Sequence, residues 1–350
     1  RRPRIDRRFR EAWAAYRAVN ECFAHAVAES APPGAAVLVQ DYHLTLLAPV
    51  LREERPDLRL VHFSHTPFAP PDAYRVLPRE VREELFAGMA AHRACGFHTE
   101  RWADAFTTSV QEFAGYSPDI FVAPLAPDPV DLGTTVASNA CNEALARIDE
   151  QIGGRSLIVR VDRIELSKNL LRGFHAFDDL LERYPQWRER VVFGAFLYPS
   201  RDGLPEYLAY RAEVESLVNR LNQKWATRDW QPILVDTSDD FPASVAALRR
   251  YDVLLVNPIR DGLNLVAKEG PLVNERNGVL LLSTEAGAFA ELGDVALAVE
   301  PFDIGGTADQ LHLALSMSQP ERIAHAGAVR SASAKRTPRD WLADNLAAAN

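Results

Sequence analysis

The chain has 350 residues, enough for two domains of ordinary size, with 47% apolar and 25% charged side chains, the profile of a soluble globular protein. Its net charge of −9 argues against a nucleic-acid binder, whose phosphate contacts need a basic face, but leaves room for a local basic pocket around a phosphorylated small molecule. No apolar run approaches the roughly 20 residues of a membrane span, residues 1–10 show no signal-peptide pattern, and three widely spaced cysteines (Cys22, Cys95, Cys141) suit free thiols in a reducing cytoplasm.

Residues 6–29 place Phe9, Trp13, Tyr16, Val19, Phe23 and Val27 at helical spacing and predict an amphipathic helix. A short strand follows at 35–43, then a helix over 81–94, a strand at 95–99 and a helix over 100–114. The stretch 126–155 mixes Pro, Gly, Asn and Thr and reads as a connection. Beyond it come a strand at 156–165, a helix over 168–186, a strand at 190–199 and a long helix over 205–225. Short apolar runs at 232–237, 251–257, 278–284 and 296–301 alternate with helical patterns. This alternation predicts βαβ units and mainly parallel sheets in an α/β protein. The expected domains are 1–140, 141–330 and a terminal helix, 331–350, that returns to the first domain. The first domain holds only about two strand–helix units, like the second half of a Rossmann-like domain, so its N-terminal part is expected to be missing.

In parallel sheets, ligands bind at the carboxyl ends of strands. The stretch "NPIRDGLNLVAKEG" (257–270) leaves such a strand and clusters Arg260, Asp261, Asn264, Lys268 and Glu269. Gly262 is expected to make the turn, with a helix starting near Leu263, whose free N–H groups suit an anion. The competing reading is an ordinary helix capped by Asp261. Arg163 and Lys168 follow the strand 156–162; two cations there suit a diphosphate, although pairing with Asp162 and Glu165 explains them equally well. Asp41 and His65 are expected at neighbouring strand ends, and Arg201 after another strand. There is no metal-ligand spacing, no Walker motif and no nicotinamide-type glycine pattern.

Taken together and in order, "DYHLTLLAPVLRE", "FSHTPFAPPDAYRVLP", "GFHTERWADAF", "RVDRIELSKN", "YPSRDGLPEY", "PIRDGLNLVAKE" and "STEAGAFAELGDVALAVEPFDIGGTADQLHLAL" resemble the trehalose-6-phosphate synthase family. These are retaining glycosyltransferases of the GT-B type, with two Rossmann-like domains facing a cleft. The resemblance implies that Arg163 and Lys168 grip the donor diphosphate, helped by backbone groups of Gly262, Leu263, Asn264 and Leu265. It implies that Asp261 and Glu269 hold the transferred ring and that His65 lies near the reacting carbon. Asp41 would contact acceptor hydroxyls and Arg201 the acceptor phosphate. Catalysis is then assigned to His65, Asp41, Arg163 and Lys168, with no metal and no cofactor. The partners expected are a nucleotide-activated sugar or cyclitol and a phosphorylated acceptor, with a homodimer as the assembly.

The departures from the family pattern are Gln40 for a histidine, Thr66 and Ala69 in "HTPFA", Asn169 for a glycine, Gly270 for an aromatic, "PLAPD" at 124–128 and the segment 236–252. They point to altered ring and base surroundings. On that ground the chain is similar to a pseudoglycosyltransferase offshoot, the validoxylamine A 7′-phosphate synthases of validamycin biosynthesis. These couple GDP-valienol to validamine 7-phosphate through a C–N bond with retention, releasing GDP. Two alternatives stand beside it: a trehalose-6-phosphate synthase using UDP- or GDP-glucose and glucose 6-phosphate, and a silent homologue that binds a sugar nucleotide and regulates a partner.

Overall fold

A computed structural model describes residues 3–201 and 203–350. It divides into two compact units, 1–125 with 338–350 and 126–337.

The first unit runs α1 (Arg7–Ser30), β1 (Ala36–Gln40), α2 (Leu47–Glu54), β2 (Arg59–Ser64), α3 (Pro71–Tyr74), α4 (Arg79–Ala90), β3 (Ala94–Phe97), α5 (Glu100–Ala114) and β4 (Asp119–Val122). Its sheet is parallel with order β1-β2-β3-β4. There are thus four strands, where the sequence suggests about two strand–helix units; β4 is a four-residue strand beginning with an exposed Asp119, too short to show a period. Helix α5 starts where Thr99 Oγ1 accepts from Trp102 N at 3.3 Å and stops at Gly115, which takes the left-handed conformation at φ +78°. Its buried face (Trp102, Ala103, Phe106, Val110) packs into a core with Phe68, Phe86 and Phe97.

The second unit runs α6 (Pro129–Ala137), α7 (Asn139–Ile152), β5 (Ser156–Arg163), α8 (Leu170–Arg183), β6 (Val191–Tyr198), α9 (Pro205–Trp225), β7 (Ile233–Asp236), α10 (Phe241–Arg250), β8 (Val253–Val256), α11 (Val266–Val273), β9 (Val279–Ser283), α12 (Phe289–Leu292), β10 (Leu297–Val299), α13 (Ile304–Ser316) and α14 (Gln319–Ser333). Its six-stranded parallel sheet has the order β10-β9-β8-β5-β6-β7. The apolar runs of β5, β8 and β9 are buried along their length, as strands covered on both faces must be. The stretch 126–155 is not a loose connection. It forms α6 and α7, whose Leu132, Cys141, Ala144, Ile148 and Ile152 join this unit's core, so the division falls at residue 125 rather than 140.

The chain closes with α15 (Pro338–Ala348), which belongs to the first unit. Trp341 meets Phe63 of β2 edge-on, with ring centroids 5.2 Å apart. Among the described residues no helix is long and apolar enough to cross a membrane.

Candidate active site

In the second sheet the chain runs outward one way through β5, β6 and β7 and the other way through β8, β9 and β10. The order therefore reverses between β5 and β8, and the crevice at their carboxyl ends is where such a sheet places a ligand. The segments that leave those two ends are 164–169 and 257–265, with Arg163 the last residue of β5.

They meet through Lys168 and Asp261. Lys168 Nζ lies 2.6 Å from Asp261 Oδ2, with 12% and 17% of the two side chains exposed. Burial works against the ammonium, but Asp261 and Asp162 outweigh it, and the pKa of Lys168 is raised. Lys168 is therefore a permanent cation at this strand end. Asp261 Oδ2 also accepts from Asn264 Nδ2 at 3.1 Å. Arg163 ends β5 with its side chain 47% exposed, and its guanidinium is steered by Glu165 at 3.0 Å. Glu165 in turn accepts from Ser200 Oγ at 2.9 Å.

Arg160 supports this arrangement from inside the sheet, a role that sequence reasoning missed. It is fully buried and bonded to Asp162 Oδ2 at 2.7 Å, and its Nη2 donates to the Lys168 carbonyl at 2.9 Å. Gly173 makes the room: a Cβ there would lie 2.4 Å from Arg160 Nη1. The signal was the pair of charges at i and i+2 in "VRVDR", which puts both on one face of an otherwise apolar strand.

The loop 261–265 differs from expectation in two ways. Helix α11 begins at Val266, not near Leu263, because Asn264 is left-handed at φ +76° and no helix can pass through that conformation. The N-terminal side-chain bond comes from Asn264, whose Oδ1 accepts from Ala267 N at 3.2 Å, and Asp261 is committed to Lys168 instead of capping. Gly262, Leu263 and Asn264 are buried and Leu265 is half-buried. The loop 283–288 presses on them, since a Cβ at Gly287 would sit 1.9 Å from the Gly262 carbonyl oxygen.

Glu269 is half-buried on α11. Burial and then Asp131 push its carboxyl up to about 7. Its neighbour Lys268 is buried and paired with Glu291 at 2.8 Å. Arg201 is left-handed at φ +53°, exposed, and donates to Tyr207 Oη at 3.1 Å.

Two of the family departures are structural. Asn169 occupies a left-handed position at φ +62°, which explains why a glycine also suits it. Its side chain is buried and its Nδ2 donates to the carbonyls of Asn257 and Pro301 at 3.0 and 2.6 Å. Gly270 is buried too, where a Cβ would lie 2.5 Å from Leu254 Cδ2. Neither position is a free group facing a ring. The segment 236–238 instead lines a cavity of about 580 Å³, together with Phe196, Leu234, Arg147 and Gln231.

The first unit gathers a second cluster at the carboxyl ends of β1 and β2. Asp41 follows β1 in a left-handed conformation at φ +58°. His62 Nε2 holds its carbonyl at 2.9 Å, and Asp41 Oδ1 accepts from His65 N and Thr66 Oγ1, both at 3.3 Å. The His65 ring lies between Gln40 Oε1 (2.8 Å from Nε2) and His98 Nε2 (3.2 Å from Nδ1). Burial lowers its pKa, so the ring is neutral at pH 7. With both nitrogens engaged, it presents a face and a C–H edge rather than a free base. Asp41 and His65 are thus brought together as expected. Arg201 belongs to the other unit.

Residues 2–350 match the profile of Glycosyltransferase family 20. The chain belongs to that family. It is 34% identical over 347 residues to the "Bifunctional trehalose-6-phosphate synthase/phosphatase" of Thermoproteus tenax, covering 95% of this chain and 47% of that protein. It is 34% identical over 349 residues to the "Alpha,alpha-trehalose-phosphate synthase [UDP-forming]" of Schizosaccharomyces pombe, covering 95% and 67%. The chain therefore spans about half of the first relative and about two thirds of the second. The crystal structure of an alpha,alpha-trehalose-phosphate synthase (UDP-forming) from Burkholderia vietnamiensis superposes with a TM-score of 0.91 at 31% identity, over 99% of this chain and 78% of that one. That of the Burkholderia xenovorans enzyme, in complex with glucose-6-phosphate, superposes with a TM-score of 0.91 at 28% identity, over 97% and 79%. The fold of this family 20 chain is thus α/β with two Rossmann-like, parallel-sheet domains.

Proposed function

We propose that this chain transfers a sugar, with retention, from a nucleoside-diphosphate donor to a phosphorylated sugar. The substrate pair is that of the trehalose-6-phosphate synthases: glucose from UDP- or GDP-glucose, passed to glucose 6-phosphate. The observation that carries the reading is the Arg163, Lys168 and Asp261 constellation at the reversal point of the second sheet. Relatives named as UDP-forming synthases, and one bound to glucose-6-phosphate, support the substrates.

In this reading Arg163 and Lys168 neutralise the diphosphate as it leaves, and the N–H groups of 263–265 complete the grip. The leaving phosphate takes the proton of the incoming hydroxyl on the same face of the ring. The cations thereby do the electrostatic work with no enzymic nucleophile and no metal required. Asp261, paired with Lys168, accepts from a ring hydroxyl. The cavity beside Phe196, Asp236 and Ser238 takes the base. Arg201, exposed on the second unit, suits a phosphate, and Asp41, in the first, suits a sugar hydroxyl.

A second reading keeps the chemistry and changes the rings: GDP-valienol coupled to validamine 7-phosphate. What favours it is Gln40, bonded to His65 where the family pattern has a histidine. Asn169 and Gly270 no longer support it, because both are buried in the scaffold. The silent-homologue reading is disfavoured by the intact charged set. Both substrate pairs assayed side by side decide the matter. Faster glucose transfer, giving an α,α-linked product by NMR, is expected; faster cyclitol coupling would establish the second reading, and no nucleotide release with either pair would leave the silent homologue.

A further inference from the structure

Gln40 ends β1 beside Asp41, and its side chain is half-buried. Both residues hold His65: Gln40 Oε1 through the ring Nε2 at 2.8 Å, Asp41 Oδ1 through the backbone N–H at 3.3 Å. The hydrogen bonds around the ring run one way. Leu125 N–H points at His98 Nδ1 at 3.4 Å. An acceptor at Nδ1 makes Nε2 the protonated nitrogen of a neutral His98, and that N–H faces His65 Nδ1 at 3.2 Å. His65 Nδ1 is then an acceptor and its Nε2–H the donor, so the atom of Gln40 that faces it must be the oxygen. The amide nitrogen of Gln40 is turned the other way. Among the described residues no acceptor meets that Nε2, and no donor meets Asp41 Oδ2. Both side chains are half-buried, so neither is sealed in the core.

We propose that Gln40 is a specificity-determining residue. Its amide nitrogen donates to a hydroxyl of the phosphorylated acceptor while Asp41 Oδ2 accepts from that hydroxyl or its neighbour, and His98 is the positioning residue that fixes the amide's direction through His65. This rests on the reading above that the first unit takes a phosphorylated sugar or cyclitol. A hydroxyl is at once donor and acceptor, and adjacent ring hydroxyls repeat that pattern, so one N–H beside one carboxylate oxygen matches them. A site built to bond a hydroxyl discriminates strongly against an analogue that lacks it, because its own polar groups are then left unpaired.

The test is calorimetric binding of glucose 6-phosphate, its monodeoxy analogues and validamine 7-phosphate to the nucleotide-bound protein. Gln40→Met removes the donor at similar volume. Gln40→Glu keeps the acceptor for His65 but turns an oxygen outward. Gln40→His can accept from His65 and still donate outward. Wild type is expected to bind one deoxy analogue at least tenfold more weakly than the parent. Gln40→Met and Gln40→Glu should bind the parent roughly 10–100-fold more weakly. They should also be indifferent to that one deletion, and Gln40→His should recover most of the loss. His98→Phe should lose the same discrimination, with the His65 ring ¹⁵N signals leaving the Nε2–H pattern. Parent binding unchanged in Gln40→Glu, or a deoxy penalty that survives in Gln40→Met, overturns the proposal while leaving the function standing. Wild-type silence toward both phosphorylated acceptors overturns both.

Discussion

Lys168 and Asp261 are the residues whose isolated loss tells most. Each neutralises the other in a largely buried place, so removing one leaves a charge without its partner. Lys168→Met or Asp261→Leu alone should lower stability by about 3–5 kcal/mol in urea unfolding, and the double variant by clearly less than the sum. Additive losses would show that the pair does not interact. Glu269 behaves in the opposite sense. Its folded pKa of about 7 stands above the usual 4.5, so the stability it contributes is present below pH 4.5 and is lost as pH rises through 7. Glu269→Gln should therefore be more stable than wild type at pH 8 by about 1–3 kcal/mol and equal to it near pH 4. In the sequence Glu269 was legible as a site candidate, but its surroundings were not, because Asp131 comes from a helix that reads as connection.

Whole helices were most legible where caps and periodicity agreed. Helices α5 and α9 lie where the pattern predicts, one opened by Thr99 and closed by Gly115, the other opened by Pro205. Helix α11 was misplaced because its boundary depends on a left-handed Asn264 that no local pattern announces. The same holds at the start of α8. There "KN" in place of a lysine–glycine pair suggested a changed ligand site, whereas Asn169 ties the start of α8 to Asn257, just past β8, and to Pro301 through two buried hydrogen bonds. Asn169→Gly keeps the backbone conformation and removes those bonds. It should cost about 1–3 kcal/mol in chemical denaturation and leave the preference between the two donor nucleotides unchanged. A switch in donor preference would return Asn169 to the ligand site.

At the scale of the molecule, each unit carries its own sheet and its own buried core, and the Arg163, Lys168 and Asp261 charges belong to one while the histidine cluster belongs to the other. That separation was legible from the two strand–helix alternations. The return of α15 to the first unit was legible only through family resemblance, since Trp341 contacts Phe63 and His65 across most of the chain. The buried histidines of the first unit give it a distinct acid response. His62 and His92 pack with ring centroids 5.3 Å apart, and His62 Nδ1 and His92 Nε2 have no partner among the described residues. Burial, and for His62 then the neighbouring His92, lowers their pKa values to about 3 and about 4. Unfolding exposes both to titration near 6.5, so the stability that depends on their neutrality is complete above pH 6.5 and is lost as pH falls toward 4 and then 3. At pH 5 each costs about 2 kcal/mol. His325 in the second unit shifts the same way, also through burial. Between pH 7.5 and 5 these two histidines should therefore cost the first unit about 4 kcal/mol, read from tryptophan and hydrogen-exchange probes within it. His92→Phe should flatten the pH dependence by about 2 kcal/mol whatever its effect at neutral pH. A wild-type profile that is flat from 7.5 to 5 would mean that both rings reach solvent in the folded state.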